Sequence, residues 1–159
     1  MRYSRDVIDA QAEAQREALA FSAWRGFVRA QSALIKELDA HLLLHHNVSL
    51  SSFEVMLFLQ DAPERRMQMS ELAESVLLTR SGLTRLVDRL EALQLITRQQ
   101  SSVDGRALFA CITPAGVRMA KKMRRTANAW ILELFDDLSE SELRTFASFW
   151  ERLVPGATA

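Results

Sequence analysis

One cysteine, three prolines and five glycines are all that this 159-residue chain carries of the residues that staple, break or loosen a backbone. The lone thiol, Cys111, excludes an internal disulfide framework and fits a reducing compartment. Five glycines offer no phosphate-cradling loop, and no Ser-His-Asp, Cys-His or close carboxylate grouping stands out, so the chain is not read as an enzyme. An excess of positive charge is missing too. Twenty Lys and Arg balance twenty Asp and Glu, which argues against a non-specific nucleic-acid coat and leaves charge placement to carry any DNA argument. The opening residues lack the apolar stretch of a signal peptide, and no run approaches the roughly 18 apolar residues of a membrane span. A cytoplasmic protein with no membrane partner is expected. What is present is an ordinary globular composition, 48% hydrophobic and 25% charged, which favours neither disorder nor a fibre.

From residue 21 to 46, Trp24, Phe27, Val28, Leu34, Ile35, Leu38 and Leu42 recur at three- and four-residue spacing, the stripe of a long helix. A weaker helix is expected before it. SSFE at 51–54 reads as a capping box that opens a helix through Gln60, and DAPERR at 61–66 reads as a loop broken by Pro63. MSELAESV and SGLTRLVDRLEAL then supply two short helices joined by about four residues around LLTR, a helix-turn-helix arrangement. After Leu95 the period changes to two. LITRQQ and ALFACI read as antiparallel strands, with Asp104-Gly105 at the tip as a tight-turn signal. Thr113-Pro114 restarts a helix, which is expected to reach about Asp137 with Met119, Met123, Trp130 and Leu134 on one face. SESE at 139–142 is a second capping box, opening a last helix with Leu143, Phe146, Trp150 and Leu153 inward.

On a helical wheel the second helix of the pair puts Leu83, Leu86, Val87 and Leu90 on one side and Ser81, Thr84, Arg85 and Asp88 on the other, with Arg89 at the edge. Thr79 is placed to cap its start, leaving free backbone NH groups pointing outward beside Arg80. Such a helix can enter a major groove, where Arg bonds guanine O6 and N7 and Ser or Thr reaches bases or phosphates. The hairpin becomes a wing, whose Arg106 can reach the adjacent minor groove.

The run MSELAESVLLTRSGLTRLVDRLEALQLITRQQSSVDGRALFACITPAG resembles the core of the MarR family of winged helix-turn-helix regulators. The shared pattern is S-E-L-A, then T-R-L-V-D-R-L-E, a wing D-x-R and a Thr-Pro-x-Gly helix start, and with the flanking helices it covers roughly residues 20 to 153. The resemblance implies a mainly α (α+β) fold: N-terminal helices at 1–46, a winged helix-turn-helix at 47–113 and C-terminal helices at 114–159. The two helical parts would be the dimerisation part of one intertwined unit. It further implies a homodimeric regulator, taken as a repressor, on palindromic double-stranded DNA, released by a small anionic aromatic ligand. DNA contacts are expected from Thr79, Arg80, Ser81, Thr84, Arg85, Asp88, Arg89, Asp104 and Arg106, with Asp104 holding the wing while Arg106 touches DNA. Two positions depart from the family pattern. Gln94 stands where Gly is usual, which predicts a non-glycine residue in a left-handed conformation at a cost of order 1 kcal/mol. Asp104-Gly105-Arg106 stands where Asp-Arg-Arg is common.

Trp24, Phe27 and His45 are the candidate ligand contacts. The pair His41 and His45 has a spacing that can grip zinc, with His46 beside it, but no cysteine or carboxylate cluster adjoins them, so no metal or other cofactor is expected. Cys111 falls in the second wing strand, and structural burial is expected of it rather than redox sensing. Arg118, Lys121, Lys122 and Arg125 share one helical face, read as solvated rather than as a second DNA contact. The alternatives left open are a ligand-insensitive winged-helix module and a metal- or redox-sensing regulator.

Overall fold

The computed structural model describes residues 3–100 and 107–156, with side chains from residue 10 onward. In chain order the elements are α1 (Tyr3–His46), α2 (Leu50–Asp61), a 3-10 turn (Pro63–Arg65), β1 (Arg66–Gln68), α3 (Met69–Ser75), α4 (Arg80–Ala92), β2 (Ile96–Gln100), β3 (Leu108–Ile112), α5 (Pro114–Leu134) and α6 (Glu140–Leu153). They gather into two compact units, Met1–Ser52 and Phe53–Ala159. No single helix among the described residues is long and apolar enough to cross a membrane.

In the first unit the two helices expected before and after residue 21 are one continuous helix. The segment AQAEAQREALA at 10–20 consists of good helix formers with no breaker, so nothing interrupts the backbone ladder. Asn47 ends α1 in the left-handed region (φ 55), a conformation Asn tolerates, and its NH returns to the Leu43 carbonyl at 2.9 Å. The capping box expected at 51–54 is displaced. Ser49 caps α2, its hydroxyl accepting from the Ser52 NH at 3.3 Å, while Asp39 Oδ1 accepts from the Leu50 NH at 2.7 Å. A charged acceptor for the Leu50 NH lets the helix begin before Ser51, which sits inside the first turn.

The second unit holds a continuous apolar core. It draws Phe53, Val55, Met56 and Leu59 from α2, Leu72 from α3, Leu83, Leu86, Val87 and Leu90 from α4, Ile96, Ala110 and Ile112 from the strands, and Ala120, Met123 and Ala127 from α5. The α4 residues are the stripe read from the sequence. β1, β3 and β2 lie side by side in that order, both pairs antiparallel, with Ile96 opposite Ile112 and Arg98 opposite Ala110. β1 was not expected: three residues inside a segment read partly as loop carry no periodicity, and the strand exists because β3 offers an open edge to Arg66–Gln68. The tip connecting β2 and β3, with Asp104, Gly105 and Arg106, lies outside the described residues.

Both helices of the pair end in the same way. Leu77 after α3 and Gln94 after α4 are left-handed (φ 52 and 59), with Leu78 NH bonded to the Ala73 carbonyl and Leu95 NH to the Leu90 carbonyl. These are Schellman caps without the usual glycine. The strain expected at Gln94 is therefore present, and what holds it is the start of α5. Thr113 Oγ1 accepts from the Gly116 NH at 3.0 Å, as its capping role required, and also donates to the Gln94 and Leu95 carbonyls at 2.8 and 3.1 Å. Gly116 permits this approach, because a Cβ there would lie 2.2 Å from the Leu95 carbonyl oxygen and 2.7 Å from Ile112 Cγ1.

α5 ends at Leu134, a turn short of the expected Asp137. α6 begins with the predicted box: Ser139 NH donates to Glu142 Oε2 at 2.8 Å and the Ser139 hydroxyl accepts from the Glu142 NH at 3.4 Å. The Ser139 hydroxyl also donates to Glu142 Oε2 at 2.6 Å, and this bond first, with that from the Ser139 NH, holds the Glu142 carboxyl below its ordinary range. The residues expected inward on α6 are not buried in the single chain; Leu143, Phe146 and Leu153 are among its exposed large hydrophobics.

Gly116→Ala is expected to destabilise the chain by about 2 kcal/mol or more, as overpacking against backbone does, while Gln94→Gly should gain about 0.5 to 1 kcal/mol. Urea titration of both variants checks the pair. Because the Glu142 carboxyl is depressed in the folded chain, the cap's contribution is present above the ordinary Glu range and fades as pH falls through the lowered value. A Ser139→Ala variant should show a weaker acid dependence in that window.

Candidate nucleic-acid interface

α4 is the centre of this surface. Thr79 caps it, its Oγ1 accepting from the Gly82 NH at 3.1 Å, so the first NH groups of the helix remain directed outward with Arg80 and Ser81 beside them. Arg80, Ser81, Thr84, Arg85, Asp88 and Arg89 are all exposed. The structure thus gathers every described DNA candidate of the sequence on one helix and its cap.

They are not equivalent. Thr84 donates its hydroxyl to the Arg80 carbonyl at 2.8 Å, and its own carbonyl accepts from Arg98 Nη2 at 3.2 Å. Asp88 Oδ1 accepts from the same Arg98 nitrogen at 2.6 Å. Arg98 Nη1 donates to Glu91 Oε2 at 2.6 Å, and the Arg98 backbone NH donates to Glu91 Oε1 at 3.1 Å. One residue of β2 therefore clamps the wing to three residues of α4. Arg80, Arg85 and Arg89 form no ion pair among the described residues, so their cations are available to a partner.

Arg98 and Glu91 are absent from the site read in the sequence. The signal was there: period two puts Arg98 on the face of Ile96, toward α4, and Asp88 and Glu91 stand three apart on that helix. α4, α3 and the strands enclose a groove of about 580 Å³, walled by Arg80, Thr84, Asp88, Arg98 and Leu108. Helix and wing are thereby two sides of one concave surface.

The remaining candidates lie elsewhere. Trp24 and Phe27 form a tilted aromatic pair on α1 at 5.8 Å, Trp24 being 62% and Phe27 38% exposed. The His41 and His45 rings are 4.5 Å apart. No group of three or more His, Cys, Asp or Glu among the described residues is placed to hold a metal ion. Cys111 is half-buried, and burial pushes its thiol up while Arg66 pulls it down. A raised thiol disfavours the reactive thiolate.

Arg98→Met should loosen the wing without touching α4's own stripe. Each partly exposed pair is worth roughly 0.2 to 1 kcal/mol, so the loss of two together with their shared hydrogen bonds is expected to cost about 1 to 2 kcal/mol. Hydrogen exchange at β2 and β3 amides should quicken relative to the core of α4, and unchanged exchange there would contradict the clamp.

Comparison with known proteins agrees with this geometry. Residues 46–107, which contain both helices of the pair and the first wing strand, match the MarR family. The chain is 26% identical over 125 residues to the HTH-type transcriptional regulator MhqR of Bacillus subtilis, covering 77% of this chain and 85% of that one. Sco3205, a MarR family transcriptional regulator from Streptomyces coelicolor solved in complex with DNA, superposes with a TM-score of 0.70 at 26% identity, over 85% of this chain and 88% of that one. MarR from Escherichia coli shares the fold at a TM-score of 0.74 and 19% identity, over 82% and 95% of the two chains. These relatives are regulators and not enzymes. With the helix pair, the wing strands and the Thr-Pro-x-Gly start of α5 all in place, residues 46–107 match the MarR family, and the chain is similar over most of its length to DNA-binding transcriptional regulators of that family.

Proposed function

We propose that the chain acts as a homodimeric repressor that reads palindromic promoter DNA through α4 and is released by a small anionic aromatic ligand. The observation that carries the DNA part is the division of labour on α4. Asp88 and Thr84 are committed to the wing through Arg98, whereas Arg85, Arg89, Arg80 and Ser81 present free cations and a hydroxyl on the outward face. Arg85 then takes the base-reading role, Arg80 and Ser81 the phosphates near the helix start, and Asp88 that of positioning residue. The DNA complex of Sco3205 supports the same use of the fold.

Support for the dimer comes from α6. It buries no residue in the single chain, yet Leu143, Phe146 and Leu153 follow helical spacing, and Trp150 joins them through edge contacts with Phe146 and Phe149. An apolar row of this kind needs a cover, and a second copy supplies an identical one. The ligand part rests on α1, where the exposed Trp24 and Phe27 rings lie side by side and so offer stacking faces for an aromatic acid. Release follows if the ligand binds better to a spacing of the two reading helices that does not match successive major grooves.

Fluorescence anisotropy with a duplex enriched by the protein from a random pool tests this reading. Arg85→Ala is expected to lose roughly 1 to 3 kcal/mol per half-site and to relax preference at one base pair. An unaltered preference would remove Arg85 from the reading role. Arg106→Ala, at the wing tip, should weaken binding on all sequences and flatten the salt dependence by about 0.9 in slope for each phosphate lost.

A further inference from the structure

α5 carries Arg118, Lys121, Lys122, Arg124 and Arg125 within eight residues, and its only acid is Glu133. All five are exposed. Successive residues turn by 100°, so Arg118, Lys121, Lys122 and Arg125 stand on the side directly opposite Gly116, Ala120, Met123 and Ala127, the row α5 buries. Like charges three and four apart repel, and four such pairs are stacked in this row. Among the described residues none of the five forms an ion pair that relieves the repulsion.

From this row we infer a second, sequence-independent DNA surface, which takes the phosphate backbone flanking the site read by α4. The inference rests on the DNA-binding reading above and extends it along the duplex. Two observations favour DNA as the occupant. The first is charge: all four side chains of the row are cationic, while Ala120 and Met123 of the same stretch face the core, so it offers an acidic peptide nothing but charge to hold, and a phosphate backbone asks for nothing else. The second is continuity. α5 is fixed to the end of α4 by the Thr113 bonds to the Gln94 and Leu95 carbonyls and by the close seat of Gly116 on Leu95, so the row keeps a constant relation to the reading helix within one compact unit. A chain with no net charge thereby concentrates cations where a regulator needs them.

The test compares the whole chain with a Lys121→Gln, Lys122→Gln, Arg125→Gln variant, whose exposed helix positions tolerate Gln. Far-UV circular dichroism and the melting temperature confirm that the variant folds. Affinity is measured over a salt series on two duplexes enriched by the protein itself, one trimmed to the protected site and one longer by about ten base pairs, one helical turn, at each end. The wild-type protein is expected to show a steeper salt slope on the longer duplex. The variant should lose that excess, up to about 2.7 in slope per chain for three phosphates, and keep its affinity for the short duplex within twofold. Equal wild-type slopes on the two lengths overturn the proposal while leaving the α4 reading intact. So does binding of polyglutamate that depends on the row and has no counterpart in the DNA length series. A protein that enriches no duplex overturns the DNA reading and this surface together.

Discussion

The carbonyl of Leu95 is where the structure of the reading unit is decided. It accepts from the Thr113 NH at 3.0 Å and from the Thr113 hydroxyl at 3.1 Å, and it lies against the bare Cα of Gly116. Around that one oxygen the end of α4, the start of β2, the end of β3 and the first turn of α5 converge. The left-handed Gln94 is the cost of bringing them together, and the Thr113 bond to the Gln94 carbonyl offsets it. If this junction slackened, α4 would keep its apolar stripe but lose its fixed angle to the wing and to α5. A DNA-binding protein that reads with one element and grips with another depends on that angle.

Arg98 closes the other end of the same arrangement. The junction fixes where α4 ends, and the clamp fixes how the wing lies along its flank, through Asp88, Glu91 and the Thr84 carbonyl. This use of Asp88 changes the meaning of a polar residue on the outward face of a recognition helix. Its negative charge would repel DNA phosphates if left free, and paired with Arg98 it becomes part of the frame. The cations beside it, Arg85 and Arg89, stay unpaired among the described residues, as the proposed attraction to DNA requires.

Where local chemistry and burial agree, the sequence was a sufficient guide. Thr113-Pro114, SESE and the Leu83, Leu86, Val87, Leu90 stripe each carry their structural cause within a few residues, and each is found as read. Three of the misses share one origin, which is that the deciding partner is distant. Ser49 caps α2 in place of Ser51 because Asp39, eleven residues before Leu50, reaches its NH. β1 forms because β3, more than forty residues later, offers an edge. The clamp is invisible until β2 is laid on α4. The outward face of α6 is a further case: its period was correct, but the single chain leaves it exposed. At the wing tip the sequence speaks alone, since Asp104 and Arg106 lie outside the described residues.

The most direct test of the account is a hydroxyl-radical footprint of the protein on a duplex it has itself enriched. Two copies, each reading through α4 with a wing alongside, should protect two patches on one side of the duplex, related by a dyad and centred about 10 to 10.5 base pairs, or a whole multiple of that, apart. A single unsymmetrical patch, or protection that moves freely with no preferred centre, would contradict the paired reading helices on which the proposed function depends.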